Sequence, residues 1–309
     1  MLTIGKGWLL IGAALWLLPG CSADHHSEKV MTMSPKDMDS PVLAVDVTDQ
    51  GTMKITGLQG IRPLGAAGEK QVVLVGEAFV ARNGLPLGGK QLPRELSLPS
   101  QRPLIALVKG SAEALLNQER DMGPWLPELR LLDDLIHSFH SYRDHGPRDR
   151  FLPSVTPAGD SGQVLVQTAV MQGDKPEAWY TREEMQLLSC LDGHQGIGAL
   201  PLKELSGLHR MDCRVQWSGN GDLKSPRIHA KVTVVLNDGP ALDSGGRVSA
   251  EEALEQQLTE LLRRQQAQRI DPLDIGRVIN SQYRGVWTTD RWRAALARAD
   301  IRVDVRITS

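Results

Sequence analysis

The N-terminus contains the sequence feature that most constrains this chain. An apolar stretch, Trp8 to Leu18, follows a positively charged start and ends in the motif Leu18-Pro19-Gly20-Cys21. The stretch has the length of a signal-peptide core and is short for a permanent membrane span. The motif is a lipobox, in which the thiol attacks a diacylglyceryl donor, although Pro19 is an unusual occupant of its position. We therefore predict a signal peptide over residues 1–20 and lipidation of Cys21, with an uncleaved membrane anchor as the alternative.

The predicted mature chain is tethered to a membrane and does not span it. Cys21 would carry a covalent diacylglycerol and an N-acyl chain, which exceed the two signals that stable anchoring needs. Residues 21–40 are polar and lack an apolar period, so they predict a flexible lipidated tether. No later stretch of the sequence approaches membrane-spanning length. Folded structure is therefore expected from about residue 41.

Charge and cysteine content exclude some classes of protein. The 309 residues contain 35 Lys and Arg against 37 Asp and Glu, without a basic stripe of interleaved aromatics. A nucleic-acid partner is therefore not expected. Beyond Cys21 only Cys190 and Cys213 remain, which is too few for a disulfide-dense scaffold. These two either pair in an oxidising compartment or stay buried as free thiols, and the sequence leaves both possibilities open.

Alternating strands and helices predict an abridged N-terminal α+β domain over residues 41–120. The apolar runs Gln71–Gly76 and Leu104–Gly110 are typical of buried strands. Ser111 is positioned to cap the helix that follows the second run. Two further strands are predicted earlier, around the turn at Asp49-Gln50-Gly51.

A middle domain is predicted over residues 121–205. It opens with an amphipathic helix from Glu128 to about Tyr142. Pro147 to Gly162 is rich in turn-forming residues and predicts a connection, after which Gln163–Met171 predicts a strand. Thr181-Arg182-Glu183-Glu184 is a capping box that opens another helix.

The C-terminal α+β domain, residues 206–309, has the clearest patterns. Asp212–Trp217 and Arg227–Leu236 alternate with period two and predict an antiparallel hairpin. A capping box at Ser249 and an N-cap at Asp271 predict two helices, the second running to about Tyr283. Ile301–Ile307 alternates strictly and predicts a closing strand. The predicted fold class is α+β, with three small mixed domains of which the last is an antiparallel sheet covered by helices.

Three groups of residues could carry chemistry, and each has a simpler structural explanation. Gly159-Asp160-Ser161-Gly162 matches the nucleophile loop of trypsin-like proteases, but the upstream context is helical rather than an all-β double barrel. Gly193–Gly198 follows a helix, whereas a dinucleotide-binding loop lies between strand and helix. The densest set of metal-ligand types also fits the polar side of an amphipathic helix. That set is His137, His140 and His145, with Asp133, Asp134 and Asp144. We therefore predict neither a catalytic residue nor a metal site, and a chain that is not an enzyme.

The order of several segments resembles the germinant-receptor C-subunit lipoproteins of spore-forming bacteria, the Ger(x)C or GerAC-like family. The resemblance extends over most of residues 71–309 and is densest over 165–309. The matching C-terminal segments are Asp271-Pro272-Leu273-Asp274-Ile275-Gly276, Tyr283, Trp287, Trp292 and the strand Ile301–Ile307. Upstream matches are Val72–Leu85, Gly173-Asp174-Lys175, Trp179, Thr181, Glu183, Glu184 and Arg227-Ile228. The chain is short for the family, and the front of its first domain looks abridged.

The resemblance implies a non-enzymatic receptor subunit. Such a protein is tethered by its lipid to the outer face of the spore inner membrane and has no cofactor beyond that lipid. It acts with integral-membrane A and B subunits in the response to nutrient germinants. The family provides no catalytic residues to carry over to this sequence.

The two tryptophans and the function each have two interpretations from the sequence. Trp287 and Trp292 either contribute to a partner surface or belong to the core, as residues of this size usually do. The alternative function is an envelope lipoprotein that binds a small ligand or hydrolyses a cell-surface substrate. A convergent pocket of polar groups would favour that alternative.

Overall fold

The computed structural model describes most of the chain beyond the N-terminal segment. The described residues are 31–32, 42–50, 52–57, 71–85, 103–118, 125–139, 149–158, 163–195, 200, 211–237 and 242–308. Within these ranges, no helix is both long and apolar enough to cross a membrane. The predicted signal peptide and Cys21 lie outside the described residues.

The described ranges form two sheets with flanking helices. The strands are β1 (Met31–Thr32), β2 (Val42–Val47), β3 (Met53–Gly57), β4 (Val72–Gly76), β5 (Leu104–Val108), β6 (Arg150–Ala158), β7 (Gln163–Gln172), β8 (Lys175–Tyr180), β9 (Met211–Gly219), β10 (Arg227–Leu236) and β11 (Asp300–Thr308). The helices are α1 (Glu77–Asn83), α2 (Ala112–Gln118), α3 (Leu126–Ser138), α4 (Arg182–Leu191), α5 (Ser244–Gln268), α6 (Gly276–Asn280) and α7 (Thr289–Leu296). The predicted α+β class is confirmed.

The larger sheet has the strand order β1-β3-β2-β4-β5-β6-β7-β8. Its centre is parallel, because β4 pairs in parallel with both β2 and β5. Every residue of β4 is buried, as expected for a strand covered on both faces. Val42 of β2 joins one hydrophobic cluster, whereas the adjacent Leu43 joins a second cluster with Phe79 of α1. The alternation along β2 therefore fills two cores on opposite faces of the sheet.

The prediction of a turn-rich connection over Pro147–Gly162 was wrong for its central part, which forms strand β6. Antiparallel pairing with β7 extends along the whole of β6. The backbone of Val155 faces β5, where its carbonyl accepts a hydrogen bond from Lys109 N. Pro153 and Pro157 lie two residues away on either side, so their backbone nitrogens also face β5 and not β7. Only Ser154 and Val155 of β6 pair with β5, so the two prolines lack an N–H at positions where β5 offers no paired residue. Proline content concealed this strand in the sequence.

The smaller sheet has the order β11-β10-β9 and is mixed. The predicted antiparallel hairpin of β9 and β10 is confirmed, with Val232 opposite Val215. The expectation of a wholly antiparallel sheet was wrong, because β11 runs parallel to β10, with Val305 beside Val232. The long connection containing α5, α6 and α7 acts as a crossover and returns the chain to the same end of the sheet.

Helix α5 begins earlier than its capping box predicted. The helix starts at Ser244, where the Asp243 carboxylate accepts a backbone N–H at 2.6 Å. Ser249 therefore lies inside the helix. Glu251, from the predicted box, instead accepts from Ile307 N at 2.7 Å and fastens α5 to the edge strand β11. A residue of the predicted capping box thus makes a tertiary contact with β11 and does not cap the helix.

Three features join separate elements or cross the predicted boundaries. A disulfide joins Cys190 in α4 to Cys213 in β9, with Cα atoms 5.1 Å apart. Met31–Thr32, inside the predicted tether, pairs in parallel with β3. Strands β5 and β6 pair directly across residue 120, so a single sheet extends through that predicted boundary. The division at 41–120, 121–205 and 206–309 stays a prediction.

Candidate functional site

The candidate site is built around Asp271, just after α5. Arg269 ends that helix in the left-handed region at φ 56°. The helix predicted from Asp271 to Tyr283 is much shorter than expected, because Asp274 adopts φ 55° and regular helix covers only Gly276–Asn280. The turn that replaces the predicted helix wraps the backbone around the Asp271 carboxylate.

Three N–H groups donate to this carboxylate. Its Oδ1 accepts from Ile275 N at 2.7 Å, and its Oδ2 accepts from Gly276 N at 2.8 Å. The indole Nε1–H of Trp292 donates to the same Oδ2 at 2.7 Å. Burial raises the pKa of Asp271 to about 6, although the three N–H groups act in the opposite direction. The carboxylate therefore orders the turn and fixes the orientation of Trp292.

Asp149 connects this turn to the larger sheet. It lies immediately before β6, and its side chain is 2% exposed. Its Oδ2 accepts from Asp271 N at 2.6 Å, and its Oδ1 accepts from Arg293 at 2.5 Å. With its amide oxygen turned toward α7, Gln172 at the end of β7 also accepts from Arg293, at 2.9–3.2 Å. One arginine thus joins α7 to two strands of the larger sheet.

An aromatic stack covers the cluster. Trp292 is 4% exposed and stacks on Trp287 with ring centroids 5.7 Å apart. Tyr283 packs edge-on against Trp287 at 6.2 Å. Gly276 lies so close to Trp292 that a Cβ atom there would sit 2.5 Å from the indole Nε1. The glycine that ends the Asp271–Gly276 motif is required by this close approach.

The structure places the two tryptophans differently. Trp292 belongs to the core, whereas Trp287 is half-buried at the edge of a cleft. Val286, which is 68% exposed, is the apolar side chain that actually protrudes there. Sequence reasoning missed Val286 because a single valine in a polar loop has no periodic signal.

The cleft has a volume of about 300 Å³ and is lined mainly by polar side chains. These include Asp149, Asp271, Asp274, Arg277 and Arg293. Asp149, Asp271 and Arg293 already bond to one another or to backbone groups, at 2.5–2.8 Å. Their arrangement suits a structural cluster that joins three segments of the chain.

A second polar contact ties α5 to α4 and β8. The guanidinium of Arg264 lies 4.4 Å from the ring centroid of Tyr180 and forms an ion pair with Glu184. Glu184 also completes the predicted capping box, which is confirmed: its carboxylate accepts from Thr181 N at 2.8 Å. Burial raises the pKa of Tyr180 to about 12. The region from α5 onward is therefore attached to the rest of the chain through both Arg293 and Arg264.

Of the other sequence candidates, His137 and Asp133 contact each other on α3, and several more lie outside the described residues. His137 is 45% exposed in its side chain, and its Nδ1 lies 2.8 Å from the Asp133 backbone oxygen. Among the described residues, no three metal-ligating side chains are grouped to hold an ion. Gly193 adopts φ 79° just beyond α4 and takes part in a turn. Candidates outside the described residues are His140, Asp144, His145, the motif at 159–162 and residues 196–198.

Comparison with known proteins gives a family match for the part of the chain that contains Asp271 and Trp292. Residues 246–309 match the family described as Spore germination B3/GerAC like, C-terminal. The C-terminal region is GerAC-like. The resemblance seen in the sequence is confirmed there, and the GerAC-like region includes Asp271, Gly276, Trp287, Trp292 and β11.

A solved structure and the curated proteins provide two further comparisons. The crystal structure of the GerBC protein aligns with a TM-score of 0.46 and 14% sequence identity. The alignment covers 86% of this chain and 96% of the GerBC chain. A search of curated proteins found no match to the sequence.

Proposed function

We propose that this chain is the lipid-anchored C subunit of a spore nutrient-germinant receptor. It acts with integral-membrane A and B subunits in spore germination, on the outer face of the spore inner membrane. The observation that carries the proposal is the family match over residues 246–309, which contain the buried Asp271 and its partner Trp292.

The proposed role is structural and interactive rather than catalytic. The polar groups at the base of the cleft bond to other parts of the same chain, which supports a structural role for them. A ligand-binding lipoprotein would instead present polar groups for a solute, in a site that buries most of the ligand's surface. A cleft of about 300 Å³ lies at the lower end of the range for such sites.

Attachment through Cys21 is part of the proposal. Its lipobox and the polar segment after it support a lipid anchor that holds the folded body near the bilayer. Cys21→Ala should therefore move the protein from the membrane to the soluble fraction and abolish nutrient-triggered germination. Ser22→Ala, the neighbouring change, should leave both properties intact.

The experiment is membrane fractionation of both variants, together with a germination assay on the same spores. Retention of the Cys21→Ala protein on the membrane with full nutrient response would refute the anchored-subunit role. Deletion of the gene should slow germination with nutrients but not germination induced without them. A nutrient response unchanged by deletion would also count against the role.

A further inference from the structure

Strand β1 occupies a position that bears on how the body meets the membrane. Met31 pairs with Met53 and Thr32 with Lys54, in parallel, so the segment adds itself to β3. Without this pairing, β3 would be the terminal strand of the larger sheet. The segment that follows the predicted lipid anchor is thus held on one particular edge.

Docking of β1 shortens the connection to the anchor. Roughly ten residues separate Cys21 from Met31, and an extended chain spans at most ~3.6 Å per residue, which gives about 36 Å. A tether that ran undocked to Val42 would have roughly twenty residues and a reach of about 72 Å. The pairing therefore halves the distance that the body can move from its anchor.

We propose that β1 is a strap that turns the β1–β3 edge of the larger sheet toward the lipid bilayer. This rests on the proposed anchor at Cys21. Seven strand spacings separate β1 from β8, so the β8 edge lies about 33 Å further along the sheet. The GerAC-like region adjoins that far side, through the contacts of Arg293 with Asp149 and Gln172. The strap would hold that region out from the bilayer surface.

Cross-linking tests the docking itself. Paired residues on neighbouring strands lie within the Cα separation that a disulfide needs. The double variant Met31→Cys, Met53→Cys should therefore form a disulfide under mild oxidation. Met31→Cys with Lys175→Cys, on the β8 edge, is the matched control and should form none. No cross-link in the first pair, or equal yields in both, would overturn the strap.

Energy transfer tests the orientation, in the lipidated full-length chain on vesicles that contain acceptor-labelled lipid. A donor at Gln50→Cys, in the exposed turn before β3, should transfer at least ~twofold more efficiently than one at Glu177→Cys on β8. Equal or reversed efficiencies would refute the orientation.

Proline substitution connects the two results. The double change Met31→Pro, Thr32→Pro removes both N–H groups of β1 and should release it from β3. The maximum length of the tether then doubles, so energy transfer from the donor at Gln50→Cys should fall ~twofold. The same prolines at Glu28 and Lys29 should leave transfer unchanged, and equal effects of the two pairs would contradict the strap. Flotation of the vesicles tests the lipid anchor separately from the docking of β1. A chain that does not float with the vesicles refutes the anchor, whereas the cross-linking result alone decides whether β1 docks on β3.

Discussion

Gly276→Ala tests the close packing in the GerAC-like region. The new Cβ would lie 2.5, 2.7 and 2.8 Å from the Nε1, Cε2 and Cδ1 atoms of Trp292. Contacts this short require movement. Trp292 has little room to move, because it is buried and stacked on Trp287. Relief therefore requires displacement of the indole from Asp271 or of α6 from α7.

The expected cost follows from those contacts. Overpacking a core position costs about 1–3 kcal/mol. Loss of the hydrogen bond from Trp292 to the Asp271 carboxylate adds about 1.5–3 kcal/mol. The better helix propensity of alanine returns up to about 1 kcal/mol. We expect a net loss of about 1.5–6 kcal/mol in the free energy of unfolding.

Urea unfolding followed by tryptophan fluorescence measures this loss, in a Cys21→Ala background that needs no detergent. Gly245→Ala is the matched control, because that exposed helical glycine would place its Cβ 3.8 Å from the nearest atom, Asp243 Oδ1. The control should be neutral or stabilised by up to about 1 kcal/mol. Equal effects at the two glycines would refute the packing argument.

Three further predictions concern Asp271, the Cys190–Cys213 disulfide and Arg264. The pKa of Asp271 is about 6 in the folded protein and 3.8 in the unfolded chain, so the folded state binds the proton more tightly. The contribution of Asp271 to the free energy of unfolding is therefore largest below about pH 4, where the group is protonated in both states. The benefit, about 3 kcal/mol, is lost as the pH rises through 6, so Asp271→Asn should remove that part of the pH dependence of urea unfolding. Parallel pH profiles of the two proteins would contradict this assignment. Replacing Cys190 and Cys213 by alanine should lower the free energy of unfolding by about 3 kcal/mol, since their sequence separation of 23 closes a moderate loop. If reduction of the wild-type protein leaves its urea midpoint unchanged, the disulfide has no such role. Arg264→Met removes the guanidinium over Tyr180 and should cost about 1–3 kcal/mol in thermal unfolding at low salt, and no change would refute this contact.

Local patterns predicted the elements whose signals are local. The capping box at Thr181, the β9–β10 hairpin and the class of fold follow from propensity and periodicity. Strand β6 was missed because its prolines are tolerated only through partial pairing with β5, which depends on tertiary context. The parallel direction of β11 likewise depends on how α5 to α7 pack, which no window of sequence contains.

The site was only partly predictable for the same reason. Asp271 and Gly276 were recognised as motif residues from the family resemblance. Their partner Asp149 was not, because it lies 122 positions from Asp271 and 144 from Arg293. An isolated aspartate before a proline-containing strand has no sequence signal. Contacts of this kind emerge only when the chain is folded.

Affinity purification most directly tests the central claim, that this chain is a receptor subunit on the spore inner membrane. The tagged full-length protein would be recovered from detergent-solubilised spore membranes and its companions identified and quantified by mass spectrometry. The account predicts polytopic receptor subunits in constant proportion to the bait, and their loss from the Cys21→Ala sample. Recovery of the protein alone, or with a bound small molecule in place of membrane subunits, would contradict it.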